Sequence, residues 1–363
     1  MTSRLKLHSL KINGFRNLKP LDLKFEEKVP IFAFVGKNGQ GKTNILEAIY
    51  LCALSKSFRT QKNQDFIAFN QPYCTLKAQT EEATVEFIMM ADSGQKTLKI
   101  NGVKRTAIDF VGHLKAVFFS PDDLASMAFA PKLRRRYLDI LLSQLSHDYL
   151  QALTRYEAGR KQRNALLKRL KKGEGKIEEL FFWNEVLADS ALPLLTARRA
   201  LVKDLNERLE GHYQAISQSN EQVKVVYVTE MKDIQTKEDY LERLKSFQET
   251  DLLLSKTHFG PQRDDLNFFL EGNDMRSFSS RGEWRSLVLA LKFAEIELIK
   301  VKTGECPLLL LDDVFSELDP QRQAYLMQSI EGIQTFITTT HADFFDQLNV
   351  PYKIYKVEEG EVI

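Results

Sequence analysis

Three cysteines occur in 363 residues, Cys52, Cys74 and Cys306, and no two of them form a CxxC pair. Their isolation excludes a disulfide framework and a thiolate zinc site, and suits a reducing, cytosolic setting. Also missing is any apolar run near the roughly 20 residues that span a bilayer, and no charged start leads into an apolar h-region. Neither export nor a membrane partner is expected; the location expected is the cytoplasm. Net charge is almost absent, +2 from 51 basic and 49 acidic residues. No global field therefore selects nucleic acid or lipid, and local clusters must make any such contact. Repeats and low-complexity segments are absent too. What remains is an ordinary globular composition in a chain longer than one comfortable core, which favours two domains or one domain with a large insertion.

The two ends of the chain read as strands and the middle as helix. "RLKLHSLKI" alternates, "VPIFAFV" is a buried run, "EATVEFIMMA" follows, "TLKINGVKR" carries a hairpin turn at Asn101 and Gly102, and "LKAVFFS" closes the series. Beyond Leu124 apolar residues recur at helical spacing through Leu138, Leu142, Leu145, Tyr149, Leu153 and Tyr156 to Leu170. "KKGEGK" breaks the pattern, and a second periodic segment runs from Leu187 to Tyr213, with Pro193 expected to kink it. Two long helices and a glycine-containing turn make an antiparallel hairpin, either a protruding arm or part of a bundle. Strand patterns return in "LNFFLEGNDMRSF", "CPLLLLDDV", "TFITTT" and "YKIYKVEEGEVI". The expectation is one α/β domain built from residues 1–122 and 255–363, with a helical domain, residues 123–254, inserted between.

"GKNGQGKT", Gly36, Lys37, Asn38, Gly39, Gln40, Gly41, Lys42 and Thr43, fits the phosphate-loop pattern between a predicted strand and a predicted helix starting near Asn44. Glycines let successive N–H groups face phosphate oxygens, and the helix N-terminus adds its dipole. Lys42 would reach the outer phosphates of ATP, and the Thr43 hydroxyl would ligate Mg²⁺. "LLLLDDVFSELD" supplies a buried strand with Asp312 at its end, where a metal-binding carboxylate belongs, and Asp313 placed to orient water. Ser280 and Gly282 precede a long amphipathic helix. His341 follows the strand "TFITTT".

This order of motifs resembles the ATP-binding-cassette ATPase class, with Walker A at residues 36–43, the signature at 280–283, Walker B at 308–313, the D-loop at 316–319 and His341 as the switch histidine. The resemblance implies a homodimer in which the signature of one copy covers the nucleotide held by the other. In detail the chain is similar to the RecF family of bacterial recombination-repair ATPases, through "LKINGFRNL", "GKNGQGKTNILEAIYLCALSKSFRT", "FSPDDL" with "RRRYLDILL", "GPQRDD" and "RSLVLALKFAE". Two departures stand out: Glu283 where the cassette signature has Gln, and Gln262 where the family motif has His. The family implies slow, switch-like, DNA-dependent ATP hydrolysis, an ATP-induced dimer on duplex DNA or single-strand/double-strand junctions, and work beside the mediators RecO and RecR in loading a recombinase during repair and replication restart. It also makes Arg16 in "GFRNL", and less strongly Arg59, residues that approach the nucleotide.

Two basic clusters are the candidates for DNA: Arg134, Arg135 and Arg136, and the run containing Arg160, Lys161, Arg163, Lys168, Arg169, Lys171 and Lys172. Such side chains contact phosphates without reading sequence, and a solvated helix face has the same composition. Gly36 and Gly282 lie 246 residues apart, too far for a transporter subunit, and the insert is too short for a chromosome-organising coiled coil. An adaptor or clamp that binds ATP with negligible turnover remains the alternative, because Asp313 is shorter than the glutamate of fast cassette enzymes.

Overall fold

Alternating side chains in the first third build a six-stranded antiparallel sheet, ordered Leu21–Lys24, Leu7–Asn13, Tyr73–Thr80, Thr84–Met90, Lys96–Ile100 and Val103–Arg105. In Tyr73–Thr80, Cys74, Leu76, Ala78 and Thr80 turn inward, as the two-residue period requires. The computed structural model describes residues 6–60, 63–342, 345 and 350–363.

The uninterrupted apolar runs build a second six-stranded sheet, ordered Glu361–Val362, Tyr352–Glu358, Ile31–Val35, Thr335–Thr339, Leu308–Asp312 and Ala116–Phe119. All neighbours in it are parallel except the edge pair Glu361–Val362 and Tyr352–Glu358. Parallel strands are covered on both faces, which is why their sequences do not alternate. Ile31–Val35 from the start of the chain sits between Thr335–Thr339 and Tyr352–Glu358 from its end. The Lys42–Leu54 helix packs against strands of both sheets and is buried over most of its surface, from Ile45 to Leu54. Cys52 and Cys74 are in this core, where burial pushes both thiols up, that of Cys74 to about 12.

The chain divides into two compact units, one of residues 1–125, 208–220 and 280–363, the other of 126–207 and 221–279. The second join thus falls at 279/280, whereas the sequence pattern suggests 254/255. The reason is pairing: Asp265–Leu270 runs antiparallel to Val223–Val228 and to Asn273–Asp274, a three-stranded sheet within the second unit. Returning strand character alone does not say which sheet a strand joins. The His147–Lys171 and Glu179–Ser217 helices form the antiparallel hairpin, with Arg163 bonded to Asn184 and Arg155 to Asp189. Pro193 lies inside the second helix, which continues on both sides of it.

The second unit is held by buried ion pairs. Arg198 donates to Asp139 and Asp264, each at 2.8 Å, and to the Tyr149 hydroxyl at 3.0 Å. Within "GPQRDD", Asp264 thus serves Arg198 and Asp265 serves Arg134, while the Gln262 amide donates to the Phe259 carbonyl and its oxygen accepts from Tyr156. Gln262 is a structural residue of this knot.

Candidate nucleotide site

Three parallel strands end on one side of the central sheet, and their register sets Val35 beside Thr339 and Asp312 beside Thr338. Ligands of open α/β sheets collect at such C-terminal ends. Gly36 is required there by a close approach: a Cβ would stand 2.2 Å from the Val357 carbonyl oxygen on the neighbouring strand. Gly41 is required by its backbone, at φ 112. It caps the Lys42–Leu54 helix without any side-chain cap, and no acid occupies the first turn. Free N–H groups and the positive dipole end are left for an anion. Lys37, Asn38 and Gly39 form the exposed crest of the loop.

Lys42 Nζ donates to the carbonyls of Gly36 at 2.6 Å and Lys37 at 2.8 Å, which engages two of the three ammonium donors and leaves one. Burial holds this ammonium below the ordinary lysine range, against the pull of Asp313 and Asp312. The Thr43 hydroxyl donates to Asp312 Oδ1 at 2.7 Å across 269 residues of sequence. Thr338 donates to the same oxygen at 2.6 Å. Thr43 Oγ1 and Asp312 Oδ1 are adjacent hard oxygen donors, a set that fits Mg²⁺ better than a softer ion. Asp313 turns the chain at φ 52, and its N–H donates to the carbonyl and hydroxyl of Thr338, each at 3.1 Å. Burial, and then the neighbouring Asp312, push the Asp313 carboxyl above the usual aspartate range, while Lys42 and His341 oppose them. His341 is exposed, with its main-chain N–H on Thr339 Oγ1.

Ser280 caps the Arg281–Thr303 helix in a reciprocal box: its Oγ accepts from Glu283 N, and its own N–H donates to Glu283 Oε2 at 2.5 Å. The acid that departs from the cassette pattern is therefore a helix cap, and the Ser280 hydroxyl proton remains available to a phosphate. Gly282 offers its carbonyl to Arg322 at 2.9 Å.

Several expected contacts change character. Arg16 forks onto the fully buried Glu47, at 3.0 and 2.8 Å, so its guanidinium anchors the phosphate-loop helix rather than standing free for nucleotide. Arg59 donates to Asn44 Oδ1 at 2.7 Å, and the Asn44 amide donates to Asn17. Asn17 was not legible as a site residue, yet its amide holds the Gly39 carbonyl at 3.1 Å. Gln40 is bound from the chain's end, where its carbonyl accepts from Gly360 N and its side chain from Glu359 N. Thr338 was missed as well; it is one of three threonines in a strand buried at every position, and nothing local singles it out.

The DNA clusters need a larger correction. Arg134 forks onto Asp265 at 2.7 and 2.8 Å and also donates to the Met127 and Ala128 carbonyls, and Arg163 is fully buried against Asp251 at 2.6 Å, Thr257 and Asn184. Neither is offered to a phosphate. Consecutive helical residues point about 100° apart, so "RRR" cannot present one face. Arg163 lies on the buried stripe of Tyr156, Gly159, Leu166 and Leu167. Arg135 is half-buried and donates to the Asp264 carbonyl, Arg136 is half-buried, and Arg160 pairs with Glu157. Lys161, Lys168, Arg169 and Lys172 are exposed.

Residues 6–362 match the family model described as RecF/RecN/SMC N terminal domain. The DNA replication and repair protein RecF of Lactobacillus delbrueckii subsp. bulgaricus is 39% identical over 371 residues, covering 98% of this chain and 97% of its own length. That of Staphylococcus aureus is 35% identical, covering 99% and 100%. A solved structure of the recombination mediator protein RecF-ATP in the RecFOR pathway superposes with a TM-score of 0.89 at 31% identity, covering 100% of this chain and 98% of that one. The Smc head domain from Pyrococcus furiosus, at 16% identity and a TM-score of 0.55, shares the fold. With its phosphate loop and paired acids joined on an ABC-type head, this chain belongs to the RecF family.

Proposed function

We propose that the chain is an ATP-driven, DNA-binding switch, in which two heads close around two ATP molecules and slow hydrolysis releases them. The observation that carries this is the Thr43–Asp312 hydrogen bond, which brings together the two halves of a phosphate site from the two ends of the chain. ATP phosphates would take the free N–H groups at the start of the Lys42–Leu54 helix and the remaining donor of Lys42. Thr43 and Asp312 would hold Mg²⁺, which when bound offsets phosphate charge. Asp313 would orient water at the γ-phosphate, with His341 beside it. Ser280 and Gly282, at the N-terminus of a 23-residue helix, would cap the nucleotide of a second copy. The γ-phosphate then carries charge-assisted contacts across the dimer seam, and its loss weakens them.

Sedimentation tests this reading. The protein is expected to be a dimer with Mg²⁺ and ATP, a monomer with ADP, and a monomer under all conditions as Ser280→Arg, which retains ATP binding in its own loop. A wild type that stays monomeric at saturating ATP, with hydrolysis blocked and duplex DNA supplied, would overturn it.

Duplex and junction binding is assigned to the exposed face of the His147–Lys171 helix and the turn after it. Replacing Lys161, Lys168 and Lys172 together by alanine is expected to weaken duplex binding and to flatten the plot of log affinity against log salt by about 0.9 per lost phosphate contact. An unchanged slope would move the DNA site elsewhere. Membership in the RecF family, and the RecFOR pathway to which the solved RecF-ATP structure belongs, support a place beside RecO and RecR in recombinase loading.

A further inference from the structure

The two parts of the head proposed to touch nucleotide from opposite sides of the seam, the Ser280 helix start and the segment carrying Asp313, are wired to each other within one chain. Arg322 is the wire. Its NH2 group donates to the Gly282 carbonyl at 2.9 Å and to Ser286 Oγ at 2.8 Å, and its Nε donates to the same hydroxyl at 3.0 Å. Its NH1 group is paired with Asp319, whose other oxygen accepts the Arg322 main-chain N–H at 3.0 Å and caps the Pro320–Ser329 helix. Ser286 is fully buried, and Arg322 is mostly so. Two neighbours brace the same junction. Arg285 bonds Glu317 at 2.8 Å, and the Gln323 amide donates to the carbonyls of Phe315 and Leu318 at 2.7 and 3.0 Å. Glu317 is therefore tied directly to the first turns of the Arg281–Thr303 helix, Asp319 is tied to them through Arg322, and the backbone of Phe315 and Leu318 is held by the helix that follows.

We infer that Arg322 is a positioning residue of the ATPase cycle, locking the Gly282–Ser286 helix start to Asp319 so that the part of the head that caps a partner's nucleotide and the part that serves its own move as one body. This rests on the dimer reading above. Because Ser280 acts on the partner's nucleotide and Asp313 on its own, a rigid link between them makes each site report its occupancy to the other. That is the structural requirement for cooperativity between two sites. A guanidinium suits the task, since its planar fork reaches a carbonyl, a hydroxyl and a carboxylate at once, and an ammonium on a flexible stem does not.

The test uses the full-length protein carrying Arg322→Lys, Arg322→Gln or Ser286→Ala, with thermal melting and binding of a fluorescent ATP analogue to the monomer as controls for folding. Wild-type hydrolysis is expected to depend on ATP with a Hill coefficient between about 1 and 2, the ceiling set by two sites. In each Arg322 variant the coefficient is expected to fall to about 1, and kcat to fall roughly 10- to 100-fold, the scale of misplaced reacting groups. Monomer affinity for the analogue stays within about twofold, since the hydrogen bonds of Arg322 go to Gly282, Ser286 and Asp319 and not to the phosphate loop. Ser286→Ala, which removes one acceptor and keeps the Gly282 and Asp319 contacts, should give an intermediate Hill coefficient. A dimeric, cooperative wild type whose cooperativity survives in Arg322→Lys and Arg322→Gln alike would overturn the assignment. A wild type that never dimerises would instead sink the reading beneath it.

Discussion

Asp313→Asn should slow ATP hydrolysis by roughly 10²- to 10⁴-fold, the usual contribution of a positioned base, while the ATP-bound dimer accumulates. The asparagine keeps the size and the hydrogen-bonded backbone of the wild type, including the N–H bonds to Thr338. It loses only the carboxylate that would accept a proton from water. Single-turnover hydrolysis with and without duplex DNA measures the effect, and sedimentation of the same mixture shows whether the dimer persists. A rate within a factor of about three of wild type would remove Asp313 from the chemistry, since base catalysis contributes far more than that. It would also favour an ATP-binding clamp with negligible turnover. Thr43 and Asp312 offer no such separation, because each supports the other across the 2.7 Å hydrogen bond.

Arg163→Ala should cost about 3–5 kcal/mol of stability, the range for removing one partner of a buried ion pair. Asp251 is fully buried, and besides Arg163 it accepts from the His258 main chain at 2.9 Å. Without the guanidinium this carboxylate keeps only the His258 main-chain N–H and the His258 ring nitrogen Nδ1, at 3.0 Å, as partners. Chemical denaturation monitored by tryptophan fluorescence and by circular dichroism would read the loss. The double variant Arg163→Met with Asp251→Leu should recover most of it, because an apolar pair of similar volume avoids desolvating two charges. Duplex affinity of that double variant is expected to match wild type. A large drop in affinity with stability intact would return Arg163 to the DNA surface.

The same residue shows why charge runs read poorly from sequence. "GRKQRNALLKRLKK" contains seven cations but only one helical face reaches solvent, and Arg163 falls three residues before Leu166 and seven after Tyr156, on the stripe that is buried. Arg134 fails in the same way beside Tyr137 and Leu138. Periodicity held the answer for both, since a cation on an apolar stripe needs a buried acid. Which acid, Asp251 or Asp265, lies 88 or 131 residues away, and nothing local names it.

By itself the sequence determined the kinds of element and the chemistry they carry. Apolar runs ending before Gly36, at Asp312 and in the threonines to Thr339 read as buried strands, and glycine followed by Lys42 and Thr43 at a helix start reads as an anion-facing turn, because these follow from backbone geometry and solvation within a few residues. Tertiary structure alone decided what required distant partners. It placed Ile31–Val35 between two C-terminal strands, assigned Asp265–Leu270 to the second unit, occupied Arg16 with Glu47, turned Glu283 into a cap, and tied Arg322 to Gly282. Local pattern fixes which groups must be paired; only the folded chain brings the partners within hydrogen-bond distance, and that distance decides whether a charge is structural or left for a ligand.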